Sequence, residues 1–265
     1  GGQGRTLSHS TTSSGGIRPH GRRTPRDCCV KILLTGAASD LGRAATVELR
    51  RRRHRLRLTD RRRLRTDHDF VQSQLGHSHQ TDRLLAGMKA VVHIPGPGKA
   101  DADAAWIDTC TRCTYNLLVA AVDAGVEHVI YVSSLDPFTA YDPDFLVGPG
   151  WRPLPTTAPE MMAPYLGEFI AEEFAQTGQI RLTTLRLGHL VDEDTVGPAD
   201  PLDALAIDPR DAAAGIAACL DEVPEDFRLV HLQGDFEGAR CGNRGLDLTL
   251  QHDFGRPRVT QEATA

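Results

Sequence analysis

Lysine is almost missing from this sequence. Lys31, Lys89 and Lys99 are the only lysines among 30 basic residues, and arginine supplies the rest. A reaction that needs a lysine side chain from any position after Lys99 is therefore excluded. The formal net charge of −5 also argues against a chain that binds polyanions over its whole surface.

Long apolar runs are absent as well. No stretch reaches the roughly 20 apolar residues that a membrane-spanning helix needs, and no segment has the pattern of a secretory signal. The six cysteines are scattered along the chain, which is typical of reduced thiols and not of a disulfide framework. We therefore expect a cytoplasmic protein without a membrane partner.

Metal-binding patterns are missing too. Cys110 and Cys113 have CxxC spacing, but no second CxxC accompanies them and they fall within a predicted helix. That context favours two cysteines on a helix face over a metal or redox pair. The histidines show no HExxH spacing, and a surface or core position is favoured for His189 over a place in a pocket. The sequence predicts no metal site.

The first 27 residues differ in composition from the rest. Residues 1–27 consist largely of Gly, Ser, Thr, Arg and His, with almost no apolar side chains. Such a segment cannot bury enough surface to offset the entropy lost on ordering, so we expect a disordered tail. Residues 28–258 are long enough for one α/β domain, and residues 259–265 are expected to form a second tail.

Beyond the tail, short apolar runs alternate with helical periodicity. This alternation predicts an α/β fold, a doubly wound parallel sheet of the Rossmann type with helices on both faces. The expected strands are Val30–Thr35, Arg55–Thr59, Ala90–Ile94, Val129–Ser133, Leu182–Leu187 and Phe227–Leu232. The expected helices are Leu41–Arg52, one closing at Asp82–Gly87, Ala104–Ala124, Pro164–Thr177 and Pro209–Glu222.

Two segments lack this regular pattern. Asp136–Ala163 and Asp192–Ile207 are rich in Pro, Asp and Gly. Long irregular segments in a compact domain are often lids over a binding site. We therefore expect them to form a small substrate-capping region towards the C-terminal part of the chain.

A glycine-containing turn follows the first predicted strand. Gly36 comes directly after the strand and permits a sharp turn, while Gly42 lets the next helix approach the strand. The helix N-terminus then offers N–H groups to a pyrophosphate. Ser39 stands where a middle glycine is usual; its hydroxyl can contact a phosphate, but its Cβ restricts close approach of the backbone. The candidate contacts are Gly36, Ala38, Ser39, Asp40, Leu41 and Gly42.

An acidic residue ends the second predicted strand. Asp60 lies about 20–25 residues past the turn, where a carboxylate accepts hydrogen bonds from ribose hydroxyls. This favours NAD, because a 2′-phosphate would meet a negative charge. Arg61, Arg62 and Arg63 follow at once and could hold that phosphate, so NADP stays open.

The same region is strongly basic from residue 50 to residue 65. It has no interleaved aromatic residues, and several of its arginines fall at a predicted helix end. A solvated face is therefore favoured, with contact to an adenosine phosphate as the alternative. Nucleic acid is not an expected partner.

Several segments together resemble a known superfamily. They are LTGAASDLG at 34–42, NLLVAAVDAG at 116–125, HVIYVSS at 128–134 and LRLG at 185–188. They are similar to segments of the short-chain dehydrogenase/reductase superfamily. Within it the chain looks most like the extended branch of NAD-dependent epimerases and dehydratases, with a size similar to uronate-dehydrogenase-like members. The resemblance runs from about residue 30 to about residue 258.

The resemblance implies an NAD-dependent oxidoreductase or epimerase that acts on a sugar-like or small carbonyl substrate. In this superfamily a tyrosine exchanges a proton with the substrate, a serine orients the substrate oxygen, and a lysine four residues after the tyrosine lowers the pKa of the phenol. Tyr165 matches the tyrosine, and Ser134, or alternatively Ser133, matches the serine. Phe169 stands where the lysine is expected, and the neighbouring Glu168 would raise the pKa of the phenol.

Two hypotheses follow from the missing lysine. The chain is either an active enzyme or a dinucleotide-binding sensor or scaffold with impaired catalysis. Arg181 or Arg186 could lend the missing charge from elsewhere in the fold, but nothing in the local sequence argues for it.

The resemblance also suggests further cofactor contacts. Gln74 replaces an acid that usually follows the third family strand, and it can hydrogen-bond an adenine edge beside Leu75. Ile94, Pro95 and Gly96 follow the strand that leads to the nicotinamide side. We expect these five residues to line the cofactor site.

Family members often dimerise through two helices, which here correspond to Ala104–Ala124 and Pro164–Thr177. The outer faces of both helices are apolar enough to permit this. A homodimer is therefore a possible partner arrangement, beside the dinucleotide and a small-molecule substrate.

Overall fold

The computed structural model describes residues 29–97, 102–243 and 245–258. The tails predicted at 1–27 and 259–265 lie outside the described residues. Within the described residues, no helix is long and apolar enough to cross a membrane. The same residues contain no group of three or more His, Cys, Asp or Glu side chains arranged to hold a metal ion.

A parallel sheet occupies the centre of the described chain. The strands are β1 Lys31–Thr35, β2 Arg55–Asp60, β3 Asp69–Gln72, β4 Ala90–His93, β5 His128–Ser134, β6 Arg181–Leu187, β7 His189–Leu190, β8 Ala206–Ile207 and β9 Phe227–Leu232. Seven of them pair in the order β3-β2-β1-β4-β5-β6-β9, and every pairing is parallel. The short strands β7 and β8 pair separately beyond the end of β6.

Helices cover both faces of this sheet. They are α1 Asp40–Arg51, α2 His79–Leu85, α3 Asp103–Cys110, α4 Arg112–Asp123, α5 Pro159–Gln176 and α6 Pro209–Asp221. The apolar sides of α1 and α6 pack on one face, and those of α2, α4 and α5 pack on the other. The predicted doubly wound α/β fold is confirmed.

The order of the strands creates a switch point beside β1. The chain moves from β1 to β2 and β3 in one direction, and then returns to place β4 on the opposite side of β1. Connections on the two sides of this point cover opposite faces and leave a crevice at the carboxyl ends of the strands. Gly36 and Asp60, which follow β1 and end β2, therefore lie at this crevice.

Several predicted boundaries differ from the structure. The single helix expected over Ala104–Ala124 is broken at Thr111, where ψ is −77°. The Thr109 and Thr111 hydroxyls donate to the carbonyls of Ala105 and Ile107, four residues earlier. Side chains that hydrogen-bond to the backbone in this way bend helices, which accounts for the division into α3 and α4.

The helix expected at Pro164–Thr177 begins five residues earlier, at Pro159. Pro159 takes the first helical turn, where an N–H has no intrahelical partner. Pro164 lies inside the helix, and its carbonyl accepts a hydrogen bond from the Tyr131 hydroxyl at 3.0 Å. The alternating pattern also does not indicate β3, because that strand has four residues and none of them is fully buried.

Candidate functional site

An open cleft of about 920 Å³ lies at the switch point. Of the thirteen predicted cofactor contacts, eleven line this cleft: Gly36, Ala38, Ser39, Asp40, Asp60, Arg61, Gln74, Leu75, Ile94, Pro95 and Gly96. Leu41 and Gly42 do not line it. The Leu41 side chain is buried in the core at 5% exposure, so its only means of reaching a ligand is its backbone N–H.

Both glycines of the turn are required by the geometry. Gly36 has φ +65°, and a Cβ there would overlap the carbonyl oxygen of Ile94. A Cβ on Gly42 would overlap the Gly36 carbonyl oxygen and come within 2.8 Å of the Ala37 Cα. The turn is therefore sharp and the helix close to it, as the sequence predicts.

Ser39 forms its hydrogen bonds within the turn. Its hydroxyl donates to the Gly36 carbonyl at 2.7 Å and accepts from the Gly42 N–H at 3.0 Å. Ser39 is thus the N-cap of α1, a position in which a serine side chain satisfies a free helix N–H. Because the hydroxyl is already hydrogen-bonded within the turn, Ser39 would support phosphate binding by fixing the N-terminus of α1.

Asp60 connects the turn to the second strand. Its Oδ2 accepts from the Ala38 N–H at 2.9 Å, and its Oδ1 accepts from the Arg62 N–H at 2.8 Å. The Arg62 Nε lies 3.3 Å from the same Oδ1. Asp60 is 7% exposed, so its carboxylate holds the turn against β2 and has its charge balanced by Arg62.

Arg43 lines the cleft and was not among the predicted contacts. Arg43 donates to the Ala38 carbonyl at 2.8 Å and to the Asp40 carboxylate at 2.6 Å. It therefore balances the acid that stands at the N-terminus of α1. Arg61 and Arg62, two of the three arginines that the sequence offered for a 2′-phosphate, line the cleft side by side. The sequence signal for Arg43 is its place three residues after Asp40, where helix side chains meet.

His93 is a further residue that the sequence did not single out. It lines the cleft at the end of β4, and its ring nitrogens lie 2.7 Å from the Thr35 hydroxyl and 3.0 Å from the Thr114 hydroxyl. Burial lowers the pKa of His93 to about 3, so the ring is neutral. This network braces β1, β4 and α4 beneath the cleft.

The two CxxC cysteines are on different helices. Cys110 ends α3. Cys113 lies in the first turn of α4 and donates through Sγ to the Gln74 carbonyl at 3.2 Å. Burial raises the pKa of Cys110 to about 12 and that of Cys113 to about 11. Thiols in this state are poor nucleophiles and poor metal ligands.

The predicted substrate serine lies at the carboxyl end of β5. The Ser134 hydroxyl donates to the Asp136 carboxylate at 2.7 Å and accepts from the Asp136 N–H at 3.0 Å. Asp136 in turn lies 2.6 Å from a ring nitrogen of His189, and Asp203 lies 2.6 Å from the other. His189, interpreted from sequence as a surface or core residue, thus belongs to a polar cluster with Ser134.

Tyr165 is partly exposed on α5, and its hydroxyl makes no hydrogen bond within the described residues. The helix turn that carries it is tightly placed, since a Cβ on Gly167 would meet the Tyr131 hydroxyl and the Cys110 carbonyl. Phe169, one turn further, is 60% exposed. No hydrogen bond joins Tyr165 to Ser134 in the described part of the chain; the Ser134 hydroxyl is bonded to Asp136 instead.

Neither arginine considered as a substitute for the missing lysine is available. Arg186 forms a bidentate ion pair with Glu168, with Nη2 2.8 Å from Oε2. It also donates to the Pro149 carbonyl at 3.1 Å. Arg181 begins β6 and therefore lies at the edge of the sheet opposite the cleft.

A parallel doubly wound sheet with a glycine turn at its switch point defines the Rossmann class of α/β proteins. A family model for the NAD dependent epimerase/dehydratase family matches residues 32–201. The chain belongs to this family. A search of curated proteins finds no match.

Solved structures share the fold. The chain is similar to uronate dehydrogenase from Agrobacterium tumefaciens at 20% identity and TM-score 0.70, covering 82% of this chain and 81% of that one. A short-chain dehydrogenase/reductase superfamily protein from the same organism, with bound NAD, is similar at 23% identity and TM-score 0.66, over 77% and 78%. UDP-N-acetylglucosamine 4-epimerase from Bacillus cereus is similar at 15% identity and TM-score 0.68, over 85% and 95%.

Proposed function

We propose that this chain binds NAD in the switch-point cleft and acts as an oxidoreductase or epimerase on a sugar-like or small carbonyl substrate. The observation that carries the proposal is the turn at Gly36–Gly42, whose shape leaves no room for a Cβ at either glycine. Family membership and the NAD bound to a structural neighbour support the same ligand.

The residues of the cleft fit a dinucleotide. The N-terminus of α1, capped by Ser39, presents the backbone N–H groups of Asp40 and Leu41 to a pyrophosphate. Arg43 also lines this part of the cleft, where it is paired with the Asp40 carboxylate. Asp60, Gln74 and the segment from Ile94 to Gly96 also line the cleft. We assign Asp60 to the ribose, Gln74 to the adenine and the segment from Ile94 to Gly96 to the nicotinamide end.

When bound, NAD supplies the hydride acceptor. The chain must then place the substrate and move one proton. Tyr165 is our candidate for the group that exchanges the proton with the substrate. Ser134 is our candidate for the group that holds the substrate oxygen. A hydroxyl has one donor and two acceptor positions, and Ser134 uses one of each. One lone pair of Ser134 therefore remains to accept a hydrogen bond from a substrate hydroxyl.

NADP is the second candidate cofactor, and one contact favours it. Arg62 balances the charge of Asp60, which reduces the repulsion that a 2′-phosphate would meet. Arg61 and Arg62 both line this end of the cleft. We therefore infer that NADP is admitted, with NAD as the principal ligand.

Calorimetric titration with NAD and with NADP tests the proposal. We expect binding of NAD with micromolar affinity, about −8 kcal/mol, and weaker binding of NADP. Failure of both nucleotides to bind would refute the proposed function. Tyr165→Phe, tested in the same protein with a panel of sugars, should retain NAD binding and lose turnover; retained turnover would exclude Tyr165 as the proton donor.

A homodimer is also proposed. Tyr115 on α4 is 52% exposed, and its ring packs edge-on against Phe174 of α5 with 5.7 Å between centroids. These helices therefore share an aromatic edge suited to a second copy. Sedimentation at several protein concentrations should detect a dimer that Tyr115→Glu dissociates; a monomer at all concentrations would contradict it.

A further inference from the structure

Four polar side chains form a continuous cluster where β5 ends and β7 begins. The Ser134 hydroxyl donates to Asp136 at 2.7 Å, Asp136 lies 2.6 Å from His189 Nε2, and Asp203 lies 2.6 Å from His189 Nδ1. We call this group the Ser134–Asp203 cluster. It joins the end of the sheet to the predicted capping segment, and nothing in the cofactor cleft uses it.

The donors of the cluster are fully engaged. A histidine whose two ring nitrogens both face carboxylates must carry a proton on each nitrogen. The hydrogen bond to Asp136, assisted by Asp203 and opposed by burial, raises the pKa of His189 to about 9. His189 is therefore a cation that uses both N–H groups on its neighbours and has no donor left for a ligand.

Acceptors, by contrast, remain available. An ionised carboxylate offers about four lone-pair positions. Asp136 uses two of them, on His189 and Ser134, and Asp203 uses two, on His189 and the Leu205 N–H. The Asp136 and Asp203 side chains are 29% and 44% exposed, so their free positions are open to a ligand.

We infer that the Ser134–Asp203 cluster recognises the hydroxyl groups of a neutral polyhydroxy substrate and rejects the corresponding carboxylate. This inference rests on the proposed function, because Ser134 is the residue proposed to hold the substrate oxygen. Hydroxyls can donate to the free acceptors, whereas an ionised carboxylate is an acceptor only. The two aspartates and one imidazolium also leave the cluster with a net negative charge, which repels an anionic substrate.

Basic side chains near the cluster are largely committed elsewhere. Arg186 is paired with Glu168. Arg240 donates to the carbonyls of Thr139 and Tyr141, in the connection that follows Asp136. Arg152 is exposed in the same connection and is the cation that an acidic sugar would bind instead. A variant of Arg152 is therefore included in the test.

Sugar binding to the full chain saturated with NAD tests the inference. Matched pairs, galactose with galacturonate and glucose with glucuronate, are titrated by calorimetry or followed by saturation-transfer NMR. We expect the neutral sugar of at least one pair to bind about tenfold more tightly than its acid. Equal or tighter binding of the acid, or binding of neither sugar, overturns the inference.

Variants locate the effect. Asp203→Asn removes one charge at constant shape. It should weaken the binding of the neutral sugar about fivefold and reduce the ratio of the affinity for the neutral sugar to the affinity for the acid. Asp226→Asn is the matched control, since Asp226 is exposed before β9 at the opposite edge of the sheet. Unchanged selectivity in Asp203→Asn, or a preference for the acid that Arg152→Ala abolishes, would contradict the cluster's role.

The same titrations separate this inference from the proposed function. If NAD fails to bind, the proposed function is wrong, and the sugar pairs measured on the cofactor-free chain still decide the role of the cluster. If NAD binds and the acid is preferred, only the inference about the cluster fails.

Discussion

The carboxylate of Glu168 on α5 forms a bidentate ion pair with the guanidinium of Arg186 on β6. Their closest atoms are 2.8 Å apart, and the two side chains are 8% and 5% exposed. The guanidinium stacks over the ring of Phe138, with the Arg186 Cζ 4.9 Å from the ring centroid. The ion pair neutralises Glu168, which lies three residues after Tyr165. Arg186 is therefore not available to supply a positive charge to Tyr165.

Breaking this pair should be costly. Glu168→Gln leaves a buried guanidinium without its counter-ion, and we expect a loss of about 3–5 kcal/mol in the free energy of unfolding. The double variant Glu168→Leu/Arg186→Met should lose less than the sum of its single variants, because it removes both charges. Urea unfolding measures the cycle, and additive losses would show that the two charges do not interact.

Restoring a lysine one turn after Tyr165 should increase turnover. Phe169 is 60% exposed, so Phe169→Lys removes no core contact. A cation there lowers the pKa of the phenol, and we expect turnover to rise roughly 10- to 100-fold with a pH optimum shifted down. Val47→Lys, a change at a 72% exposed position on α1, is the control. An unchanged rate in Phe169→Lys would argue against Tyr165 as the acid or base.

The close approach of α1 to its turn should be sensitive to one methyl group. Gly42→Ala forces the helix away from Gly36, and we expect a loss of about 1–3 kcal/mol in stability together with at least tenfold weaker NAD binding. Gly76→Ala adds the same methyl group where no atom lies within 4 Å and should change neither quantity. Thermal unfolding and calorimetry provide the two measurements, and equal behaviour of both variants would contradict the prediction.

The free energy of unfolding should fall at alkaline pH, because His189 loses its charge there. Its pKa is raised from the ordinary 6.5 to about 9, so the folded state holds the proton more tightly than the unfolded state. The stabilisation is complete below pH 6.5 and is lost as the pH rises through 9. We expect about 1 kcal/mol, since solvent screens these partly exposed pairs. His189→Gln should remove this pH dependence, and a variant that keeps it would assign the effect to another group.

Arg62 should affect the two nucleotides differently. Arg62→Ala removes a cation from the ribose end of the cleft and exposes the charge of Asp60. NADP affinity should fall about tenfold while NAD affinity changes less than about threefold. Arg50→Ala, an exposed position on α1 outside the lining of the cleft, is the control. Equal losses for both nucleotides would mean that Arg62 acts only through the shape of the turn.

Local features of this protein could be predicted from its sequence. The strand before Gly36, the cap and helix after it and the acid at Asp60 all depend on neighbouring residues and on hydrophobic periodicity. These signals are strong because β1 is buried and because glycine adopts the φ of +65° at Gly36 without steric cost. The doubly wound fold followed from the same alternation.

The polar partnerships were decided by the tertiary structure. Glu168 and Arg186 are 18 residues apart, and Asp136 and His189 are 53 apart. No periodicity encodes such pairs, because they form only when parallel strands align their carboxyl ends and a helix packs beside them. The sequence therefore predicted where a dinucleotide should bind. The packing of β5, β6 and α5 decided which charges surround Tyr165 and Ser134.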